Sequence, residues 1–422
     1  LSTAAIYASD VEQDQSVSAT KLRDLDGFEE YIWLMEHNTN LSHSIVFEVH
    51  GATTTKQWRG ALSAVQTRHP LLSASIRKIP GQRPFFEKVH GSSIPLRIVP
   101  LTDWLVLEEE MESELAQSFG NGSGPLTRAT LFHAQDRSVI LFATHHSSLD
   151  GKSHLLLVQD LMAAMAGEAL DEPLELQPGM GQLLGLPAPA PYVKKLAGRS
   201  VASEDGTRVE LPKIRVQHRQ LGEKETVALL RRAKEENTTV HAALVTALAL
   251  AGKRYSKAWE LGPIRCMSPI DMRRTLMIPD AAGLLISAHS GRVPLSEGAS
   301  FWDIARAVKE DMLPAQSLDG ARYLLGSFSS MVAEEHGALD LYRFVRTAPS
   351  RYELMVTNYA SYKVRTEYGN LKIENLFTGS AAVSDIQKVS VITTNGKLGM
   401  TLVARDLFPT LLEDAREILV HA

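Results

Sequence analysis

The chain has 422 residues, 44% hydrophobic and 22% charged, with 44 basic against 49 acidic side chains and a formal charge of −5. This composition fits a globular protein of two domains and, lacking a dense Lys/Arg stripe interleaved with aromatics, argues against a nucleic-acid partner. Cys266 is the single cysteine, which excludes an internal disulfide and a cysteine-built zinc site, and no apolar run is long enough to span a bilayer. The first residues show no charged-then-apolar leader pattern, so a cytoplasmic location is expected.

In chain order, Ile45, Phe47 and Val49 alternate with more polar neighbours and predict a half-buried strand ended by Gly51. Trp58, Ala61, Leu62 and Val65 follow at i, i+3, i+4 and i+7, the stripe of an amphipathic helix. Strands are predicted over 72–77, 96–99, 128–133 and 138–144. Between them a Glu-rich surface helix from Trp104 to Phe119 is closed by the turn cluster Asn121-Gly122-Ser123-Gly124-Pro125. Leu155, Val158, Leu161, Met162 and Met165 predict a helix over 151–167. Pro173, Pro178, Pro187, Pro189 and Pro191 then interrupt any helix or central strand and mark a linker.

Beyond the linker lie a strand at 214–221, helices at 224–236 and 240–251, a strand at 264–270 and a helix near 301–308. A mostly β stretch over 353–405 carries the hairpin signal Asn395-Gly396, and a helix over 409–420 follows. The division is therefore 1–175, a linker over 176–205, and 206–422. Strand–helix alternation on both sides predicts two α/β sandwich-like domains and not one doubly wound sheet.

The chemistry concentrates where the apolar strand Ser138–Thr144 runs into His145-His146. Adjacent strand side chains face opposite sides, so one imidazole serves a given site and the other turns into packed surroundings. A neutral imidazole, with an ordinary pKa of about 6.5, can take a proton from a hydroxyl or an amine. His-His alone reads as a core pair, with Asp150 capping the helix that begins at Gly151. At the end of a buried strand, and followed by Ser147-Ser148-Leu149-Asp150-Gly151, the pair reads instead as the seat of a general base. A metal-dependent hydrolase built on His145, His146 and Asp150 fits poorly, because neighbouring strand residues diverge and no His-Glu-x-x-His helix occurs. A covalent serine route lacks its Gly-x-Ser-x-Gly elbow.

His145-His146-x-x-x-Asp150-Gly151 resembles, without gap or substitution, the signature of the condensation-domain and acyl-CoA-dependent acyltransferase superfamily. Arg68-His69-Pro70-Leu71-Leu72, Gly124-Pro125-Leu126-Thr127-Arg128, Asp271-Met272-Arg273 and Val356-Thr357-Asn358-Tyr359 resemble further segments of it, in order. The Asp-Phe-Gly-Trp-Gly segment of the plant-type transferases is absent near Phe377-Thr378-Gly379-Ser380, so the chain looks closest to the polyketide-associated, mycocerosyl-transferase-like members.

The resemblance implies two chloramphenicol-acetyltransferase-like α/β sandwich domains with a tunnel between them. It implies His146 as the catalytic base facing that tunnel and His145 as its structural partner. Asp150 would pair with an arginine, Arg273 before Arg68, Gly151 would allow the tight turn, and Asn358 would serve the tunnel wall or an oxyanion. The activity implied is O-acyl transfer, without a covalent enzyme intermediate, a metal or a permanently bound cofactor. The donor would be a thioester of coenzyme A or of a phosphopantetheinyl acyl carrier protein, and the acceptor a small-molecule alcohol of lipid or secondary-metabolite biosynthesis. The alternative is a free-standing condensation enzyme that forms an amide with an amine acceptor.

Overall fold

The computed structural model describes residues 19–103, 105–119, 124–188, 190–192, 212–278, 281–295, 298–333, 341, 352–359, 362–381 and 386–422. In the first half the strands are β1 (Ala19–Asp24), β2 (Ser42–His50), β3 (Ala74–Arg77), β4 (Phe85–Val89), β5 (Leu96–Pro100), β6 (Thr127–His133) and β7 (Arg137–His145). With them stand the helices α1 (Gly27–Thr39), α2 (Thr55–Arg68), α3 (Leu107–Leu115), α4 (Gly151–Met165) and the short α5 (Met180–Leu183). The second half holds β8 (Arg215–Gln220), β9 (Arg265–Asp271), β10 (Ile286–Arg292), β11 (Leu354–Asn358), β12 (Glu367–Tyr368), β13 (Leu371–Ser380), β14 (Gln387–Thr394) and β15 (Lys397–Ala404). Its helices are α6 (Glu223–Glu235), α7 (Val240–Gly252), α8 (Lys257–Leu261), α9 (Arg273–Leu276), α10 (Phe301–Met312), α11 (Leu318–Met331) and α12 (Leu411–His421).

Two six-stranded mixed sheets organise these elements, in the orders β12-β13-β2-β7-β6-β5 and β10-β9-β11-β14-β15-β8, beside a small β1-β4-β3 sheet. The central strands β2 and β7 of the first sheet are buried on both faces, which is why β7 reads as a continuous apolar run. On one face Ile45, Phe47, Ile140 and Phe142 pack under Trp58, Leu62, Leu155 and Leu161 of α2 and α4. On the other, Val46, Leu141 and Ala143 meet Met111 and Leu115 of α3 together with Val216 and Val403 of the second sheet. The apolar α7 lies over the second sheet, its Leu244 and Leu248 sharing a core with Val389, Val391, Met400 and Leu402.

The structure refines several expectations. The sheet built mainly from the first half also takes β12 and β13 from residues 367–380, with β13 antiparallel to β2. Leu72, read as the start of a strand, sits buried with Leu71 in a 3-10 turn over Pro70–Ser73, because Pro70 fixes that turn and β3 begins only at Ala74. The Glu-rich helix covers Leu107–Leu115 only. Its expected start at Trp104, residues 121–123 of the turn cluster, and Pro189 and 193–205 of the linker lie outside the described residues. Asn395 and Gly396 do join β14 to β15, both with positive φ (50° and 77°), as a tight hairpin of that sequence requires.

Candidate active site

β7 ends at His145, and the strand's alternation separates the two histidines. His145 is 2% exposed, its Nδ1 accepting from the Ser147 backbone N–H (3.2 Å) and lying 2.8 Å from Ser147 Oγ. Burial drives its pKa down to about 3, so it stays neutral. His146 begins the turn that follows, and its Nδ1 lies 3.0 Å from the Leu149 carbonyl. A carbonyl only accepts, so the ring proton sits on Nδ1 and Nε2 carries a bare lone pair. Burial lowers the His146 pKa, with a smaller contribution from Lys388, while the Leu149 carbonyl and Asp150 act the other way.

Asp150 does something different. It caps α4 through Ser153 N–H (2.8 Å) and also accepts from Ser153 Oγ (2.8 Å) and from the Leu285 N–H of the second half (2.8 Å). Arg273 closes a two-pronged fork on it, Nη1 to Oδ2 at 3.0 Å and Nη2 to Oδ1 at 3.1 Å. Both side chains are almost fully buried, and the guanidinium holds the carboxyl below its usual range despite that burial. With its oxygens so engaged, Asp150 ties the two halves of the chain together. Arg68, the second candidate for this pairing, goes elsewhere: its Nε meets Asp160 at 2.9 Å, beside His69 Nε2 at 2.6 Å from the same oxygen.

Gly151 answers a steric demand, because a Cβ there would fall 1.8 Å from the Tyr359 hydroxyl oxygen. His146, Asp150, Gly151 and Asn358 all line one cavity of about 570 Å³, whose walls come from both halves of the chain. Its lining also includes Lys152, His241, Asp271, Met312, Tyr359 and Tyr362. Arg273 and His145 are not among its lining residues.

Other groups in the site were not legible in the sequence. His43, paired in register with Thr144 across β2 and β7, has its ring tilted against its neighbours, 5.3 Å from His146 and 4.5 Å from His154. Thr378 Oγ1 gives its proton to the Ser44 carbonyl (2.9 Å) and so accepts from His43 Nε2 (2.9 Å). His154 is held by Thr144 (2.8 Å), and burial keeps both rings neutral. Lys388, buried in β14, donates to the Ala381 carbonyl (2.7 Å), and burial pushes its pKa down to about 8. No motif would have flagged His43, His154, Thr378 and Lys388; strand register and the packing of α4 bring them together.

Both halves of this two-sheet α/β chain match models of known families. Residues 32–180 match the family model "Condensation domain", and residues 211–321 match "Phthiocerol/phthiodiolone dimycocerosyl transferase C-terminus". The resemblance to the condensation-domain and acyl-CoA-dependent acyltransferase superfamily is thus shown in both halves. The chain is 36% identical over 69 residues to one of the mycosubtilin synthase proteins of Bacillus subtilis, a match spanning 15% of this chain and 3% of that protein.

Among solved structures, it is similar to polyketide synthase associated protein 5 from Mycobacterium tuberculosis (18% identity, 95% of this chain and 97% of that one, TM-score 0.66). It is also similar to the first condensation domain of the CDA synthetase (16%, 94% and 96%, TM-score 0.67). A third is TRI3 trichothecene 15-O-acetyltransferase from Fusarium sporotrichioides (12%, 95% and 95%, TM-score 0.67). At these identities what is shared is the fold: two α/β units, each on its own sheet, as expected for the chloramphenicol-acetyltransferase-like arrangement. No helix among the described residues is long and apolar enough to cross a membrane.

Proposed function

We propose that the protein is an acyltransferase that moves an acyl group from a thioester donor to a hydroxyl acceptor, with His146 as general base. The observation that carries this reading is the His146 ring itself: Nδ1 is committed to Leu149, and the side chain lines a cavity walled by both halves. The bare Nε2 takes the proton from the acceptor hydroxyl as its oxygen attacks the thioester carbonyl, and returns it to the departing thiolate. Holding the base and both substrates in one cavity supplies orientation as well as proton transfer. The donor is a thioester of coenzyme A or of an acyl carrier protein, and the product an ester of lipid or secondary-metabolite biosynthesis.

The match of residues 32–180 to condensation domains favours a second reading, amide formation with an amine acceptor. Base chemistry is common to both. Matched alcohol and amine acceptors offered with a panel of acyl-coenzyme A thioesters, with products read by mass spectrometry, separate them. An ester product supports the first reading and an amide the second. Absence of any acyl product across a broad panel, with folded protein, counts against both.

A further inference from the structure

A second imidazole lines the same cavity from the other half of the chain. His241 lies in the first turn of α7, and its Nε2 is 2.8 Å from Ser268 Oγ on β9. Ser268 is 2% exposed, and no carbonyl oxygen among the described residues accepts its proton; its other neighbour is the Cys266 sulfur at 3.9 Å. At 2.8 Å the imidazole nitrogen is a better acceptor for the hydroxyl proton than the sulfur at 3.9 Å, and that assignment places the ring proton on Nδ1. Nδ1 has no hydrogen-bond partner among the described residues and is not one of the enclosed, unpaired polar atoms, so it opens toward the cavity.

The ring is held neutral. Burial lowers its pKa to about 4, with a contribution from His289, which itself pairs with Asp311 at 2.8 Å. The positive end of α7 lies at the same place, and it too disfavours an imidazolium. Because α7 is buried along most of its length, the donor is rigidly mounted. The lining mixes apolar Val240, Ile270, Met312 and Met355 with polar Thr239, Lys309 and Gln316. A purely hydrocarbon ligand against this wall would leave the N–H unpaired, whereas a carbonyl oxygen satisfies it without any charge.

We propose that His241 is a substrate-contacting residue that donates its Nδ1–H to a carbonyl oxygen of the acyl thioester in the cavity that His146 also lines. The inference rests on the thioester reading above. Two carbonyl sources exist in such a donor, the thioester itself and the amides of its pantetheine arm.

The test uses the full chain labelled with ¹⁵N-histidine, the His241 signals being assigned by their loss in His241→Asn, and octanoyl-coenzyme A as probe. In the free protein His241 shows a protonated Nδ1 and a bare Nε2, and saturating probe shifts its Nδ1–H while also perturbing His146. A His146 response with unchanged His241, or the opposite tautomer at His241, overturns the inference and leaves the thioester reading standing; no response at either histidine removes both. In parallel, His241→Phe weakens octanoyl-coenzyme A binding about tenfold, and His241→Asn, which keeps a donor near the Nδ1 position, recovers most of that loss. S-octyl-coenzyme A, a thioether without the thioester carbonyl, identifies the source. If the thioester oxygen is the acceptor, only octanoyl-coenzyme A loses affinity in His241→Phe; if a pantetheine amide is, both lose it alike. Wild-type affinity for both ligands in that variant overturns the proposal.

Discussion

Asp150→Ala is expected to cost about 3–5 kcal/mol of stability, the usual size when one member of a buried ion pair is removed. The surroundings explain the size. The carboxylate accepts from Ser153 N–H, Ser153 Oγ, Leu285 N–H and both terminal nitrogens of Arg273. Its loss strands a guanidinium whose side chain is 3% exposed, with Asp271 as the remaining carboxylate partner, and removes the α4 cap, itself worth about 1 kcal/mol. At about 2–4 °C per kcal/mol, the melting temperature should fall on the order of 10 °C. The sign with pH follows from the depressed carboxyl: its stabilisation is complete above the unfolded value of about 3.9 and fades as pH falls through the lower folded value. Scanning calorimetry of wild type and variant should thus show a constant gap near neutrality that narrows only under strongly acid conditions. A variant of full stability that has lost all turnover would refute the structural role and make Asp150 part of the proton chemistry.

Gly151→Ala should destabilise the protein by about 1–3 kcal/mol, because its Cβ must displace Tyr359, and denaturant melts should show a smaller cost in a Tyr359→Leu background. Lys388 has a folded pKa of about 8 against an ordinary value near 10.5, so the unfolded chain binds its proton more tightly. Its contribution to stability therefore rises between those two pH values, by on the order of 3 kcal/mol. Lys388→Met should abolish that rise, and a matching slope in both proteins would show that Lys388 is not the group responsible. The same variant removes a cation that disfavours protonated His146, so a histidine NMR titration should find the His146 pKa raised.

The part of the site that was legible is the part that is contiguous. His145, His146, Asp150 and Gly151 fall within seven residues at a strand-to-helix turn, and alternation along one strand was enough to separate the two imidazoles. Arg273 came only through resemblance, since nothing in Asp271-Met272-Arg273 reveals a partner more than a hundred residues away. His43 sits in Ser42-His43-Ser44, which carries no motif, and reaches His146 only because β2 and β7 pair in that register. β13 was legible as β structure but not as a member of the first sheet, because the choice of neighbour is non-local. α11, whose Gly320, Gly326 and several serines are poor helix formers, was not among the expected elements, yet it forms and packs on α1.

The central claim concerns His146, and the most direct measurement is steady-state acyl transfer by His146→Ala beside wild type, with thermal melts of both. Loss of a well-placed general base should lower turnover by a factor on the order of 10² or more, with little change in melting temperature. His145→Ala should show the reverse emphasis, since its buried ring is held by Ser147. In wild type the rate should climb with pH through one ionisation below the ordinary histidine value, as the lowered His146 pKa requires, and that limb should vanish in the variant. A His146→Ala protein that transfers acyl groups at the wild-type rate would contradict the account.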